Sequence, residues 1–272
     1  MQQPGRPRLC CRAWRLSLRP RWSSRGAKPR NARMLTAQEI LARRDQPIDL
    51  VIFDCDGVLI DSEGLASIVL SRALRELGWM ISAGDCETLF LGTSLRDIIA
   101  RTEAEIGRPV PVDFGRTFSA AMVEALVREV EAIPGAEATL AALTAAGMSW
   151  RIASNSSHAE MVAKFNRTGL DRLVGDRKHS AEDMTRIGLN GKPDPHLFLA
   201  AAEAGGVPPS RCLVIEDSVP GAQAAKAAGM TCLGFSPRAS GIELSAEGAG
   251  VFKSMAELPA LLGVRKRVAK AC

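Results

Sequence analysis

Two carboxylates one residue apart, Asp54 and Asp56, stand just before Gly57 and just after the apolar run Leu50-Val51-Ile52-Phe53. On an extended stretch, residues i and i+2 project to the same side, so both acids can face one centre. Gly57 lets the backbone turn sharply behind them. A carboxylate in that position can attack phosphorus once repulsion by the phosphoryl oxygens is neutralised, which Mg²⁺ in an oxygen-ligand site does. The second acid can protonate the leaving oxygen and later take a proton from water. A further acid pair, Glu216-Asp217, ends the apolar run Cys212 to Ile215 and can supply metal ligands, Asp217 first. Ser154 ends a third run, Trp150 to Ala153, and its hydroxyl with the neighbouring backbone N–H groups suits phosphate oxygens. Lys192 lies in a loop stiffened by Pro193 and Pro195 and can be held toward the site as a neutralising charge. Each signal has an ordinary structural reading: polar strand ends, an N-cap series from Ser154 to Ser157, a surface lysine. Three apolar runs all ending in such residues point instead to one shared site. A calcium loop opening at Asp54 would close on a glutamate at position 65, where Leu65 stands.

Ligands in an open parallel sheet bind beyond the carboxyl ends of the strands, so these runs must be neighbouring strands of such a sheet. The rest of the pattern agrees. After the first run, an apolar stripe of Leu65, Ile68, Val69, Leu74 and Leu77 predicts a helix stopping at Gly78. Ser94 with Asp97 resembles a capping box opening a helix that ends near Gly107, and another is predicted over Phe114 to Val130. Residues 64–132 thus read as helical, without a strand. From Pro134, helices and strands alternate: a helix through Leu140 and Leu143, the Trp150 strand, a helix from His158 to Thr168, and an irregular stretch. Pro193 to Pro195 then opens a helix, followed by the Cys212 strand, a helix from Pro220 to Gly229 and a strand from Thr231 to Phe235. This rhythm predicts an α/β fold: a doubly wound, Rossmann-like parallel sheet with an inserted helical domain. The expected division is a core of residues 48–63 and 133–262, a cap of residues 64–132, a disordered basic tail at 1–34 and a short basic tail at 263–272.

The chain of 272 residues carries a net charge of +5, unevenly placed. Residues 1–34 hold ten basic side chains and no acid, so the remainder is net acidic. Pro4, Pro7, Pro20 and Pro29 interrupt that segment, which shows no sustained periodicity and is expected to be an unstructured extension, with Met34 a candidate start. Its composition also fits a transit peptide or a nucleic-acid arm. No apolar run is long enough to cross a bilayer. The seven cysteines are scattered, with no metal-type spacing, and predict reduced thiols in a cytoplasmic enzyme. No nucleic-acid or membrane partner is expected, and the protein is expected to be a monomer or weak homodimer.

The chain resembles the haloacid dehalogenase-like phosphohydrolases, in the group with a helical cap after the first strand. Four motifs in the family's order carry the resemblance: VIFDCDGVLIDSE from Val51 to Glu63, IASN from Ile152 to Asn155, GKPDP around Lys192, and VIEDSVPGA from Val214 to Ala222. The resemblance implies Asp54 as nucleophile and Asp56 as general acid/base. It implies Ser154, Asn155 and Lys192 on the transferring phosphoryl group, and Mg²⁺ held by Asp54, the Asp56 carbonyl, Glu216 and Asp217. Asp56 argues against the metal-free dehalogenase branch. The absence of lysine from residues 64–132 argues against the branch that forms a Schiff base on its cap. The expected substrate is a small phosphorylated metabolite: a sugar phosphate, sugar-acid phosphate or phosphoglycolate. Glu63, Thr93, Ser94 and Arg96 are the cap-side candidates for contacting it. The alternatives are a beta-phosphoglucomutase-type mutase and a non-catalytic metabolite-binding member of the fold. Sugar mutases of the family carry a histidine where Ala66 stands and an arginine where Leu95 stands, with Arg96 one helical step away. The intact catalytic aspartates argue against a binding module.

Overall fold

In the computed structural model, the described residues are 33–264 except 91, 92 and 94, with the side chain of Glu63 also left aside. The expectations for the tails at 1–32 and 265–272, for Ser94 and its cap, and for the Glu63 side chain therefore lie outside the described residues.

The first apolar run forms β1 (Leu50–Phe53), the middle of a six-stranded parallel sheet. Its neighbours are β4 (Ser149–Ser154) and β6 (Cys212–Glu216), with Phe53 level with Ile152 on one side and Ile215 on the other. Beyond β4 lies β5 (Lys178–Ser180); beyond β6 lie β7 (Thr231–Phe235) and β8 (Gly250–Phe252). Chain order reverses direction across the sheet at β1, which opens the crevice where ligands of doubly wound sheets sit. Both faces of the sheet are covered. Val51 and Phe53 enter one core with Leu213 and Ile215, while Leu50 and Ile52 enter the other with Cys212 and Val214. That is why these strands read as unbroken apolar runs rather than as alternation.

Before β1, α1 (Ala37–Ala42) packs on β8 and is capped by a reciprocal Thr36–Glu39 box. After it, β2 (Ile60–Asp61) pairs antiparallel with β3 (Glu131–Ala132), and between them run α2 (Glu63–Glu76), α3 (Ala83–Phe90), α4 (Leu95–Ile106) and α5 (Phe114–Glu129). These four helices form the cap and have a core of their own, built from residues such as Leu74, Ile81, Phe90, Ile98 and Phe114. The sheet's crossovers follow as α6 (Ala136–Ala145), α7 (His158–Thr168), α8 (Asp171–Val174), α9 (Ala181–Arg186), α10 (His196–Ala204), α11 (Val219–Ala227), α12 (Ile242–Ala246) and α13 (Leu258–Leu261). The end of α7 is set by Gly169, at φ 71°, and its start by a capping box between Ser157 and Glu160.

Three details depart from the sequence expectation. Residues 64–132 contain a strand, β3, whose two residues are too few to show a period. The stretch after α7, expected to be irregular, holds α8, β5 and α9; β5 is a three-residue edge strand of polar composition and carries no apolar signal. Helix α3 has no separate counterpart among the helices expected in 64–132. Among the described residues, no helix is long and apolar enough to cross a membrane.

Candidate active site

The carboxyl ends of β1, β4 and β6 bring Asp54, Ser154 and Glu216-Asp217 to one edge of the sheet. Asp54 continues β1, its N–H bonded to the Ile215 carbonyl at 2.9 Å, and its side chain is almost wholly buried. The chain then folds into a tight turn: the Leu59 and Ile60 N–H groups both donate to the Cys55 carbonyl at 2.9 Å. Gly57 occupies the left-handed region of the backbone, at φ 73°. A Cβ there would stand 1.8 Å from Asp217 Oδ2, so the turn both requires glycine and seats the Asp217 carboxylate against it.

Carboxylate oxygens of Asp54, Glu216 and Asp217 all lie within 4.8 Å of one another. Glu216 is fully buried, and its Oε2 accepts from the Asp217 and Ser218 N–H groups at 3.0 and 2.9 Å and from the Ser218 hydroxyl at 2.8 Å. A Cβ on Gly221 would fall 1.8 Å from Glu216 Oε1, so the first turn of α11 is cut back to admit this side chain. An all-oxygen set of three converging carboxylates, two of them backed by glycines, fits a hard divalent cation.

Lys192 answers part of this negative charge. Its ammonium donates to Asp54 Oδ1 and, at 2.6 Å, to Glu216 Oε1, while lying 4.8 Å from the centre of the Phe198 ring. Asn155 fixes the lysine's main chain: its Oδ1 accepts the Lys192 N–H at 2.9 Å and its Nδ2 donates to the Lys192 carbonyl at 3.2 Å. Gly191 makes this approach possible, since a Cβ there would meet Asn155 Oδ1 at 2.3 Å. The Asn155 side chain thus clasps the lysine loop, and its role as a direct phosphate ligand would fall to its main chain.

Asp56 stands apart from the metal-type cluster in a nest of donors. Ser62 Oγ donates to Oδ1, Ser156 Oγ to Oδ2 at 2.7 Å, and Ser154 Oγ to Oδ2 at 3.3 Å. Lys164, from the second turn of α7, reaches Oδ1 at 2.6 Å and Ser156 Oγ at 2.6 Å. Reading the motifs did not single out Lys164 or Ser156. The detectable signal was a lysine on the apolar face of α7 between Met161 and Phe165, both buried, where a solvated charge has no place.

These surroundings separate the two aspartates. Burial pushes Asp54 up to about 7; Lys192 pulls it down, and Glu216 and Asp56 push it further up. Burial also opposes the charge on Asp56, but Lys164 and the hydroxyls of Ser62 and Ser156 outweigh it and hold that acid at about 2. Burial likewise disfavours the Lys192 ammonium, yet Asp54 and Glu216 raise it above the usual lysine range.

The cap candidates are less concentrated. Thr93 is half-buried and donates its N–H to the Phe90 carbonyl at 2.9 Å; Arg96 is exposed near the start of α4. Ala66, on α2, packs against the main core.

A buried carboxylate nucleophile candidate, a bridging lysine and an acid pair on the crevice edge of a capped parallel sheet are the arrangement of a family. Residues 48–229 match the haloacid dehalogenase-like hydrolase family, and the chain belongs to it. It is 32% identical over 189 residues to 6-phosphogluconate phosphatase of Escherichia coli, a match covering 69% of this chain and 82% of that one. Hexitol phosphatase A of the same organism is 32% identical over 184 residues, covering 65% and 78%. A haloacid dehalogenase-family hydrolase from Deinococcus radiodurans, solved with bound phosphate and sodium, superposes with a TM-score of 0.66 at 36% identity, covering 82% of this chain and 99% of that one.

Proposed function

We propose that the protein is a Mg²⁺-dependent phosphomonoester hydrolase whose substrate is a sugar-acid or sugar phosphate, with phosphoryl transfer through Asp54. The observation that carries this reading is the convergence of the Asp54, Glu216 and Asp217 carboxylates, two of which, Asp54 and Glu216, also hold the Lys192 ammonium. The substrate class rests on the likeness to 6-phosphogluconate and hexitol phosphatases.

Asp54, Glu216 and Asp217, with the Asp56 carbonyl, would hold Mg²⁺, which when bound offsets the charge of the carboxylates and of the phosphoryl oxygens. Asp54 attacks phosphorus to form an aspartyl phosphate as the bond to the leaving oxygen breaks; Asp56, ionised in the resting site, first takes up a proton from water in the crevice and gives it to that oxygen. Water then attacks the phospho-aspartate while Asp56 takes a proton back, releasing inorganic phosphate. Lys192 stays against the nucleophile and offsets charge that accumulates on transfer. The Ser154 hydroxyl, at the end of β4, orients a phosphoryl oxygen. The core at 48–63 and 133–262 does the chemistry, and the cap at 64–132, through Thr93, Ser94 and Arg96, with Glu63 at the junction before it, selects the leaving group. Four buried free thiols, Cys55, Cys86, Cys212 and Cys232, fit a reducing compartment such as the cytoplasm.

The test is phosphate release from a panel of phosphorylated sugars, sugar acids, polyols and phosphoglycolate, with Mg²⁺ and with excess chelator. Metal-dependent turnover is expected on 6-phosphogluconate or a hexose or hexitol phosphate. Asp54→Asn is expected to retain less than a thousandth of it, a loss of more than about 4 kcal/mol of transition-state stabilisation. Activity in chelator, or an Asn variant above a tenth of wild type, would defeat the reading.

A further inference from the structure

Lys164 belongs to none of the four motifs, yet it is almost completely buried and aimed at the reacting edge, with a side-chain exposure of 3% against 32% for Asp56. Lys164 is thus shielded from solvent, whereas part of the Asp56 carboxyl group stays accessible. Its ammonium makes two bonds that fix two atoms. One goes to Asp56 Oδ1 at 2.6 Å; the other goes to Ser156 Oγ at 2.6 Å. Because Ser156 Oγ accepts from the lysine, its own hydrogen is directed to Asp56 Oδ2, 2.7 Å away. Lysine and serine therefore grip both oxygens of one carboxylate, and Ser62 adds a second donor to Oδ1.

The remaining donor is the weak one. Ser154 Oγ lies 3.3 Å from Oδ2, at the long end of the hydrogen-bond range. A hydroxyl there has little to lose by turning to a phosphoryl oxygen. When it turns, one lone pair of Oδ2 opens toward the crevice while the three other bonds keep the carboxylate in place. We infer that Lys164 is a positioning residue for Asp56: acting directly and through Ser156, it holds the carboxyl group so that Oδ2 faces the crevice, where it carries the proton given to the leaving oxygen and, once ionised again, accepts one from the attacking water. The inference rests on the proposed acid–base role of Asp56.

The leaving group supplies the test. An alkyl phosphate such as 6-phosphogluconate needs its leaving oxygen protonated; p-nitrophenyl phosphate does not. For Lys164→Met with Mg²⁺, kcat on the alkyl substrate is expected to fall about 100-fold, the size of a lost general-acid contribution, with KM within about threefold. Single-turnover release of p-nitrophenol should stay within about threefold of wild type. Asp56→Asn should show the same discrimination, and the double variant should be no worse than Asp56→Asn alone, because the two residues act as one unit. Equal loss on both substrates by Lys164→Met, or additive losses in the double variant, would overturn the positioning role while leaving the acid–base role of Asp56 standing. An Asp56→Asn variant with wild-type kcat would instead overturn the reading beneath it. If Lys164→Met does not fold, as melting would show, Lys164→Gln, neutral and one atom too short to hold both Asp56 Oδ1 and Ser156 Oγ, is held to the same outcomes.

Discussion

Asp54 is caught between burial, which favours its proton, and Lys192, which favours its charge; burial wins, and the acid rises from 3.8 to about 7. The sign of the consequence follows. A carboxyl whose folded pKa is raised binds its proton more tightly in the folded protein. It therefore adds stability to the metal-free protein that is full below about pH 4 and lost as pH rises through about 7. Asp56 has the opposite sign: its depressed value, about 2, adds stability present above about pH 4 and lost as pH falls toward 2. A metal at Asp54 takes the ionised form, so proton and cation compete. Mg²⁺ affinity is thus expected to climb as pH rises from about 5.5 and to level off above about 7, with proton release on binding below that point. Calorimetry in buffers of different ionisation enthalpy measures both. An affinity independent of pH across this range would show that Asp54 is already ionised.

At the scale of an element, the site depends on close backbone approaches, and the turn after β1 tests them. In the turn after β1, Gly57 combines a left-handed φ of 73° with a Cβ position 1.8 Å from Asp217 Oδ2. Gly57→Ala must displace that carboxylate or open the turn. The expected outcome is a Mg²⁺ affinity at least about tenfold weaker and a stability loss of about 1–2 kcal/mol, measured by titration calorimetry and by denaturant unfolding. Gly64 is the control. It lies near the start of α2 with nothing within 4 Å of its Cβ position, so Gly64→Ala should leave metal binding alone and raise stability by up to ~1 kcal/mol. Matching effects at the two positions would refute the account of Gly57.

Across the whole molecule, the described packing begins at Leu35. Its carbonyl accepts the Val251 N–H at 2.8 Å, Thr36 bridges to the same residue, and α1 buries Ala37 beside β8 with Ile40 and Leu41 against the core. Gly250 is part of the fit, since a Cβ there would meet Ile40 Cγ1 at 2.8 Å. Arg44 ties the end of this segment to the Ser210 carbonyl at 2.9 Å and to Thr231 on β7. Residues 1–33 carry no sustained apolar periodicity to bury, so a chain starting at Met34 is expected to match the full chain in melting temperature and turnover. A chain starting at Asp49 should lose at least ~2 kcal/mol through the exposed apolar surface. Thermal unfolding and phosphate release measured on both truncations decide this; a clear loss with the Met34 start would show that residues 1–33 support the body.

Asp54, Glu216 and Asp217 were legible as a set because parallel strands buried on both faces are unbroken apolar runs, and the polar residue ending each run lies at the sheet's carboxyl edge. The chemistry of those residue types then narrows what the edge can do. Shorter elements left no such trace: β3 has two residues and β5 three, so neither carries a period, and pairing with a neighbour creates them. The same holds for side chains whose partners are distant in sequence. Asn155 read as a phosphate ligand beside Ser154, yet its amide spans 37 residues to clasp the main chain of Lys192. Lys164 stands on the helix expected from His158 to Thr168, and the packing of α7 against α5 and β3 leaves it buried and bonded to Asp56. The sequence by itself determined the parallel class of the sheet, four of its long apolar strands and the acids at its edge, because these follow from local pattern and short-range geometry. Only the tertiary structure decided which donors grip each acid, because that depends on how separate segments are brought within 3 Å of one another.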